Sequence, residues 1–114
     1  MDTIHLGFRG REATLAELQQ EVGTGWSGII ADLVLKLFAL GWNGVILQCK
    51  EKFGGMRFYT GETTDEMETL IRAAEAESYK TCEQCGKPGI ARRDGWIKTL
   101  CDEHAGDREP CLDL

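Results

Sequence analysis

Four residues of this chain have the types and the spacing to hold one metal ion. Cys82 and Cys85 are separated by two residues, as are Cys101 and His104, with fifteen residues between the pairs. Two donors so spaced can grip one ion from a single tight turn, and Gly86 suits the turn after the first pair. Between the pairs, Ile90 to Arg93 and Trp96 to Leu100 flank Asp94-Gly95, a hairpin signal that returns the second pair over the first. Three thiolates and one imidazole complete a tetrahedral shell, so the pattern predicts one structural Zn2+. Iron–sulfur clusters usually take four thiolates. A catalytic zinc would need an open coordination position. Glu103 adjoins His104, but the H-x-E signature of zinc deaminases is absent. The bland alternative, buried free cysteines beside a chance histidine, accounts poorly for the spacing. Cys111 reads as an exposed thiol or a substitute ligand, Cys49 as a small core residue, and His5 as a surface histidine.

A second stretch, Lys50 to Tyr59, interleaves Lys50, Lys52 and Arg57 with Phe53, Phe58 and Tyr59. Aromatics beside cations can stack bases and hold phosphates. The plainer reading is a hairpin with a solvated charged face, because strands favour aromatics anyway. After it come Asp65, Glu66, Glu68, Glu75 and Glu77, an acidic helix face for solvent or a basic partner. Glu68 and Glu75 are its candidate contacts, and Arg92, Arg93 and Trp96 are those of the metal hairpin. Trp26, Trp42 and Trp96 are expected to pack inside or between modules. No nucleophile stands beside a base, and Gly54-Gly55 lacks the spacing of a phosphate loop. The chain therefore reads as a non-enzyme, with a zinc hydrolase as the third option.

The elements that must position these groups are those of an α+β protein. Thr14 and Glu17 form a capping box for a helix over about 14–21. Ser27 is the expected cap of a helix over 27–40, whose Ile30, Leu33, Val34, Leu37 and Phe38 share one face, widened by Leu35 and Leu40. Gly41 ends it. Alternation over 45–60 predicts a β-hairpin turning at Gly54-Gly55. A third helix over 64–80 turns Met67, Leu70, Ile71 and Ala74 inward and Glu66, Glu68, Glu75 and Glu77 outward. Thr3 to Phe8 is a short strand or an ordered arm. Residues 1–80 thus form an α+β core, and 81–114 a zinc-ribbon module and tail packed on it.

At 114 residues the chain is the size of one domain, with a modest core that a metal staple would support. Its net charge of −6 disfavours simple phosphate-backbone binding. The distribution is uneven: residues 41–61 carry three bases against Glu51, and residues 62–79 carry six acids against Arg72. No apolar run suits a membrane helix, and the first residues lack the order of a secretory signal, so a cytoplasmic protein is expected.

The segment Cys82 to His104, with its CxxCG start, Ile-Ala-Arg centre and Thr-Leu-Cys before the second pair, resembles the zinc finger of the DksA/TraR regulators of bacterial RNA polymerase. It departs from them in ending with His104 and in lacking their long coiled coil. The longer stretch from Gln48 to His104 is similar to small uncharacterised proteins of phages and prophages. These share a KEKFG-x-[LM]RFY segment, here Lys50 to Tyr59, an acidic helix and a C-terminal CxxC…CxxH finger. That resemblance implies a phage accessory protein in the cytoplasm of a bacterial host. The expected role is binding a host or phage macromolecule, foremost a protein, as in inhibition of a defence or transcription complex. The alternative is a zinc-ribbon protein that binds nucleic acid through Lys50, Lys52, Arg57 and Tyr59 with Arg92-Arg93. Monomer and dimer are both compatible with the sequence.

Overall fold

The computed structural model describes residues 5–8, 11–20 and 22–111. The chain order is β1 (His5–Phe8), β2 (Arg11–Thr14), α1 (Leu15–Gln20), a 3-10 turn (Thr24–Trp26), α2 (Ser27–Ala39), β3 (Val45–Lys52), β4 (Gly55–Thr60) and α3 (Asp65–Ser78). Then follow β5 (Ile90–Asp94), β6 (Trp96–Leu100), a 3-10 turn (Asp102–His104) and β7 (Glu109–Pro110). The α+β class holds. The first sheet has the order β2-β1-β3-β4, with β1 parallel to β3 and the other pairs antiparallel. The second has the order β6-β5-β7.

The capping box forms as its residue types require. The Glu17 amide donates to Thr14 Oγ1 at 3.2 Å, and the Thr14 amide to Glu17 Oε1 at 3.3 Å. Ser27 is not a side-chain cap: the preceding 3-10 turn runs straight into α2 and Ser27 is its first residue. α2 buries Ile30, Leu33, Val34 and Leu37. Leu35 and Leu40 do not join that face and are exposed. Gly41, at φ 91°, ends the helix: the Trp42 amide reaches Leu37 O at 3.1 Å and the Gly41 amide reaches Phe38 O at 3.0 Å. That closure swings Trp42 back against Phe38, ring centroids 5.0 Å apart, and into the core.

The core is the interface between α2, α3 and one face of the first sheet, where Ile46, Cys49, Met56 and Phe58 meet Ile30, Leu37, Met67 and Ile71. The β3–β4 turn lies one residue earlier than the glycine pair suggests. Phe53 (φ 53°) and Gly54 (φ 85°) take the positive-φ positions, and Gly55 opens β4. Gly55 is small for another reason, since a Cβ there would lie 2.1 Å from the Tyr79 ring.

α3 does more than cover the sheet. Ser78 Oγ accepts the Met56 amide at 2.8 Å and Glu75 Oε2 accepts the Phe58 amide at 3.0 Å, so the helix satisfies the open edge of β4. Glu75 therefore turns toward the sheet, contrary to the expected outward face. Glu68 is also engaged, accepting from Thr63 Oγ1 at 2.6 Å. The expected short N-terminal strand is β1, whereas β2 had no clear periodicity to announce it.

Candidate metal centre

The first donor pair sits in a knuckle that the backbone closes by itself. The Gly86 amide donates to Cys82 O at 2.9 Å, with Gly86 at φ 84°, and the Cys82 amide donates to Lys87 O at 2.7 Å. The second pair is wound by the 3-10 turn after β6, in which the His104 amide donates to Cys101 O at 3.1 Å. The β5–β6 hairpin turns at Gly95 (φ 76°) and carries the second knuckle over the first.

The donor atoms of Cys82, Cys85, Cys101 and His104 consequently all lie within 4.8 Å of one another. Cys85 Sγ and Cys101 Sγ are 3.6 Å apart, while His104 Nδ1 is 3.7 Å from Cys82 Sγ and 3.2 Å from Cys101 Sγ. Metal–sulfur bonds of about 2.3 Å in a tetrahedron place sulfur pairs about 3.8 Å apart, so the donor set fits one such ion. Cys111 lies outside this group. Its amide donates to Ala91 O at 2.9 Å, which pins the tail beside β5.

The electrostatics toward a cation are divided, with Cys82 and Cys101 lowered and Cys85 and His104 raised. Burial pushes the Cys82 thiol up, but hydrogen bonds from the Cys101, Cys85 and Gln84 backbone outweigh it and bring Cys82 down to about 6. Cys101 also loses hydration, yet its bonds to His104 hold it below an ordinary thiol. His104 is raised by the same Cys101 contact and by Cys82. For Cys85 the Lys87 backbone lowers the thiol, while lost hydration and the neighbouring Cys101 and Cys82 leave it raised.

No protein-family profile, curated protein or solved structure matches this chain.

The centre is seated on the core by close backbone contact. The Gly25 amide donates to Glu83 O at 2.8 Å, Thr24 Oγ1 to Gln84 O at 3.2 Å, and Trp26 Nε1 to Thr81 O at 2.9 Å. Thr99 Oγ1 donates to Gly54 O at 2.5 Å, and Lys98 Nζ bridges Glu83 at 2.9 Å and Glu51 at 3.5 Å. The Glu83 bond, opposed by partial burial, leaves Lys98 raised. Glycines 23 and 25 and residues Thr81, Lys98 and Thr99 carry this seat, and nothing in the sequence marked them beyond a helix break.

The candidate binding residues divide. Arg92 is only 8% exposed, with Nε donating to Leu100 O at 3.0 Å and Nη2 to Asp102 at 2.7 Å. It splints the second knuckle and is not a contact residue. Arg93 is exposed. Trp96, read both as a packing residue and as a candidate contact, is 74% exposed. Lys50, Lys52, Arg57 and Tyr59 all lie on the outer face of the first sheet. Among the acids, Glu66 and Glu77 are exposed, whereas Glu68 and Glu75 bond within the chain. Phe53, at the tip of the β3–β4 turn, is 58% exposed. Among the described residues no helix is long and apolar enough to cross a membrane.

Proposed function

We propose that this chain is a zinc-stabilised accessory protein that works by binding another macromolecule, with a protein as its partner, and that it catalyses no reaction. The observation that carries this reading is the shell of Cys82, Cys85, Cys101 and His104 within 4.8 Å. Four protein donors use every position of a tetrahedral ion, whereas a hydrolytic zinc keeps one for water. Three sulfurs and a nitrogen suit zinc and disfavour the hard oxygen-seeking cations.

The surface that supports a protein partner is the groove of about 430 Å³ between α2 and α3. Ile29, Leu33, Leu70 and Ala74 line it, with Asp32, Lys36 and Glu77 at its rim. It continues past Leu70 to Leu40 and Glu66. Lys36 is already paired with Asp32 at 2.8 Å, and Glu66 and Glu77 are the exposed acids beside it. An apolar floor with an acidic rim suits a basic amphipathic helix. The setting, a phage or prophage product acting on a host defence or transcription complex in the bacterial cytoplasm, rests on the resemblance of Lys50–Tyr59 and Cys82–His104 alone.

Metal-loaded, tagged protein exposed to a lysate of infected bacteria tests the reading. One protein should be retained in stoichiometric amount and lost with Glu66→Lys/Glu77→Lys at unchanged zinc content. If wild type retains nothing specific, the protein-partner reading fails. If the double variant retains the same protein, the groove is not the contact.

A further inference from the structure

The outer face of the first sheet carries a charge arrangement that the fold itself works against. The register of β3 and β4 sets Lys50 directly opposite Arg57, with Gln48 opposite Tyr59 and Lys52 opposite Gly55. The intervening Cys49 and Phe58 are buried in the core, so Gln48, Lys50, Lys52, Arg57 and Tyr59 share the face turned away from the helices. Like charges directly opposite one another in an antiparallel pair are destabilising.

Among the described residues, neighbouring acids do not relieve this pair. Glu51 points to the other face, where Oε2 accepts the Gly54 amide at 2.9 Å and Oε1 lies 3.5 Å from Lys98 Nζ. Glu12, which the register places on the outer face opposite Gly7, belongs to β2 at the far edge of the sheet. Arg57 is also held in position. Its guanidinium lies 5.5 Å from the centre of the Tyr79 ring, and that ring rests on Gly55. A local excess of positive charge thus persists on a chain of net charge −6, beside Tyr59, which is 44% exposed.

We propose that this face binds single-stranded nucleic acid, with phosphates on Lys50, Lys52 and Arg57 and a base stacked on Tyr59. An anion between Lys50 and Arg57 removes the repulsion that the register builds in. An acidic peptide would meet the cations equally well, but the exposed ring among them favours an anion that carries flat bases. The site lies on the sheet face opposite the helical layer and stands independently of the protein partner proposed for the α2–α3 groove.

Fluorescence anisotropy of the metal-loaded full chain with labelled oligothymidylate tests this. Three phosphate contacts at about 0.7 counterions each give a salt slope of about −2, a loss of about 15-fold between about 50 and 200 mM salt. Lys50→Gln/Lys52→Gln/Arg57→Gln should weaken binding at low salt by at least about tenfold, with metal content and circular dichroism unchanged. Arg11→Gln/Lys36→Gln/Lys87→Gln removes the same charge from exposed ion pairs elsewhere and should bind as wild type does. Tyr59→Ala should weaken oligothymidylate but not heparin, which has no bases to stack. Absence of binding at low salt, an equal loss in the control triple variant, or an unaffected Tyr59→Ala would each overturn the proposal.

Discussion

The backbone of Gly25 lies so close to that of Cys82 that a Cβ on Gly25 would stand 2.0 Å from the Cys82 carbonyl oxygen. The contact joins the loop before α2 to the first metal knuckle, and both partners are main chain, so neither can rotate away. Gly25→Ala should therefore destabilise the protein by about 1–3 kcal/mol, the range of an overpacked site, and weaken metal retention at the same time. Denaturant melts with parallel chelator competition measure both. A variant as stable as wild type would show that the knuckle and the core are not rigidly joined.

Metal removal should act locally. Among the described residues, buried apolar side chains form a large cluster around Trp26, Ile30 and Phe58 and a small one of Cys82, Leu100 and Cys101. Cys85→Ser, or chelation, should abolish metal binding and loosen residues 82–104 while the helices and the β3–β4 hairpin keep their hydrogen bonds. Hydrogen exchange resolves the two regions, and elemental analysis of wild type should find about one ion per chain. Protection lost uniformly along the chain would count against this division.

Acid should release the ion. Cys82 is depressed from 9.0 to about 6, so its contribution is fully present above its ordinary value and is lost as pH falls through about 6. His104 must shed its proton to bind, and its raised affinity for that proton opposes loading in the same acidic range. Metal occupancy should hold at pH 7 and fall only below about 6, since the bound ion competes further with protons. Occupancy already falling above pH 7 would count against this prediction and would place the controlling proton on Cys85, whose thiol is raised.

The edge of β4 offers a test of what α3 contributes. Ser78 is fully buried and its hydroxyl is the acceptor for the Met56 amide. Ser78→Ala leaves that amide unpaired, at a cost of about 1–3 kcal/mol. Ser78→Thr, which keeps the hydroxyl, should lose less if the extra methyl is accommodated. Equal thermal stability of Ser78→Ala and wild type would mean that water replaces the hydroxyl.

Lys50 should be better for binding than for folding. Lys50→Glu turns a repulsive cross-strand pair with Arg57 into an attractive one, a gain of about 0.2–1 kcal/mol. The melting temperature should rise as oligothymidylate binding falls. A lower melting temperature would show that the Lys50–Arg57 repulsion is already screened in the free protein.

Much of this molecule could be read before its fold was known, because the relevant signals are local. Helix α2 announced itself by apolar steps of three and four and by Gly41, and α1 by Thr14 and Glu17. The four metal-binding candidates were visible because two-residue spacings are set by the geometry of a single turn, which needs no distant partner. Tertiary structure decided what depends on neighbours far along the chain. Arg92 looked like a surface cation and is a buried splint, because Leu100 O and Asp102 come to it only when β5 and β6 pair. Glu75 looked solvated and is bound to the β4 edge, because helical periodicity reports which way a residue points but not what runs alongside. Trp96 could be read as a packing residue or as a surface contact and is exposed, because hydrophobicity alone does not say which hairpin positions find a cover. Gly23 and Gly25 looked like helix breakers and are the floor on which the metal knuckle sits. A sequence states preferences residue by residue, whereas close approach between two backbones is a property of the pair.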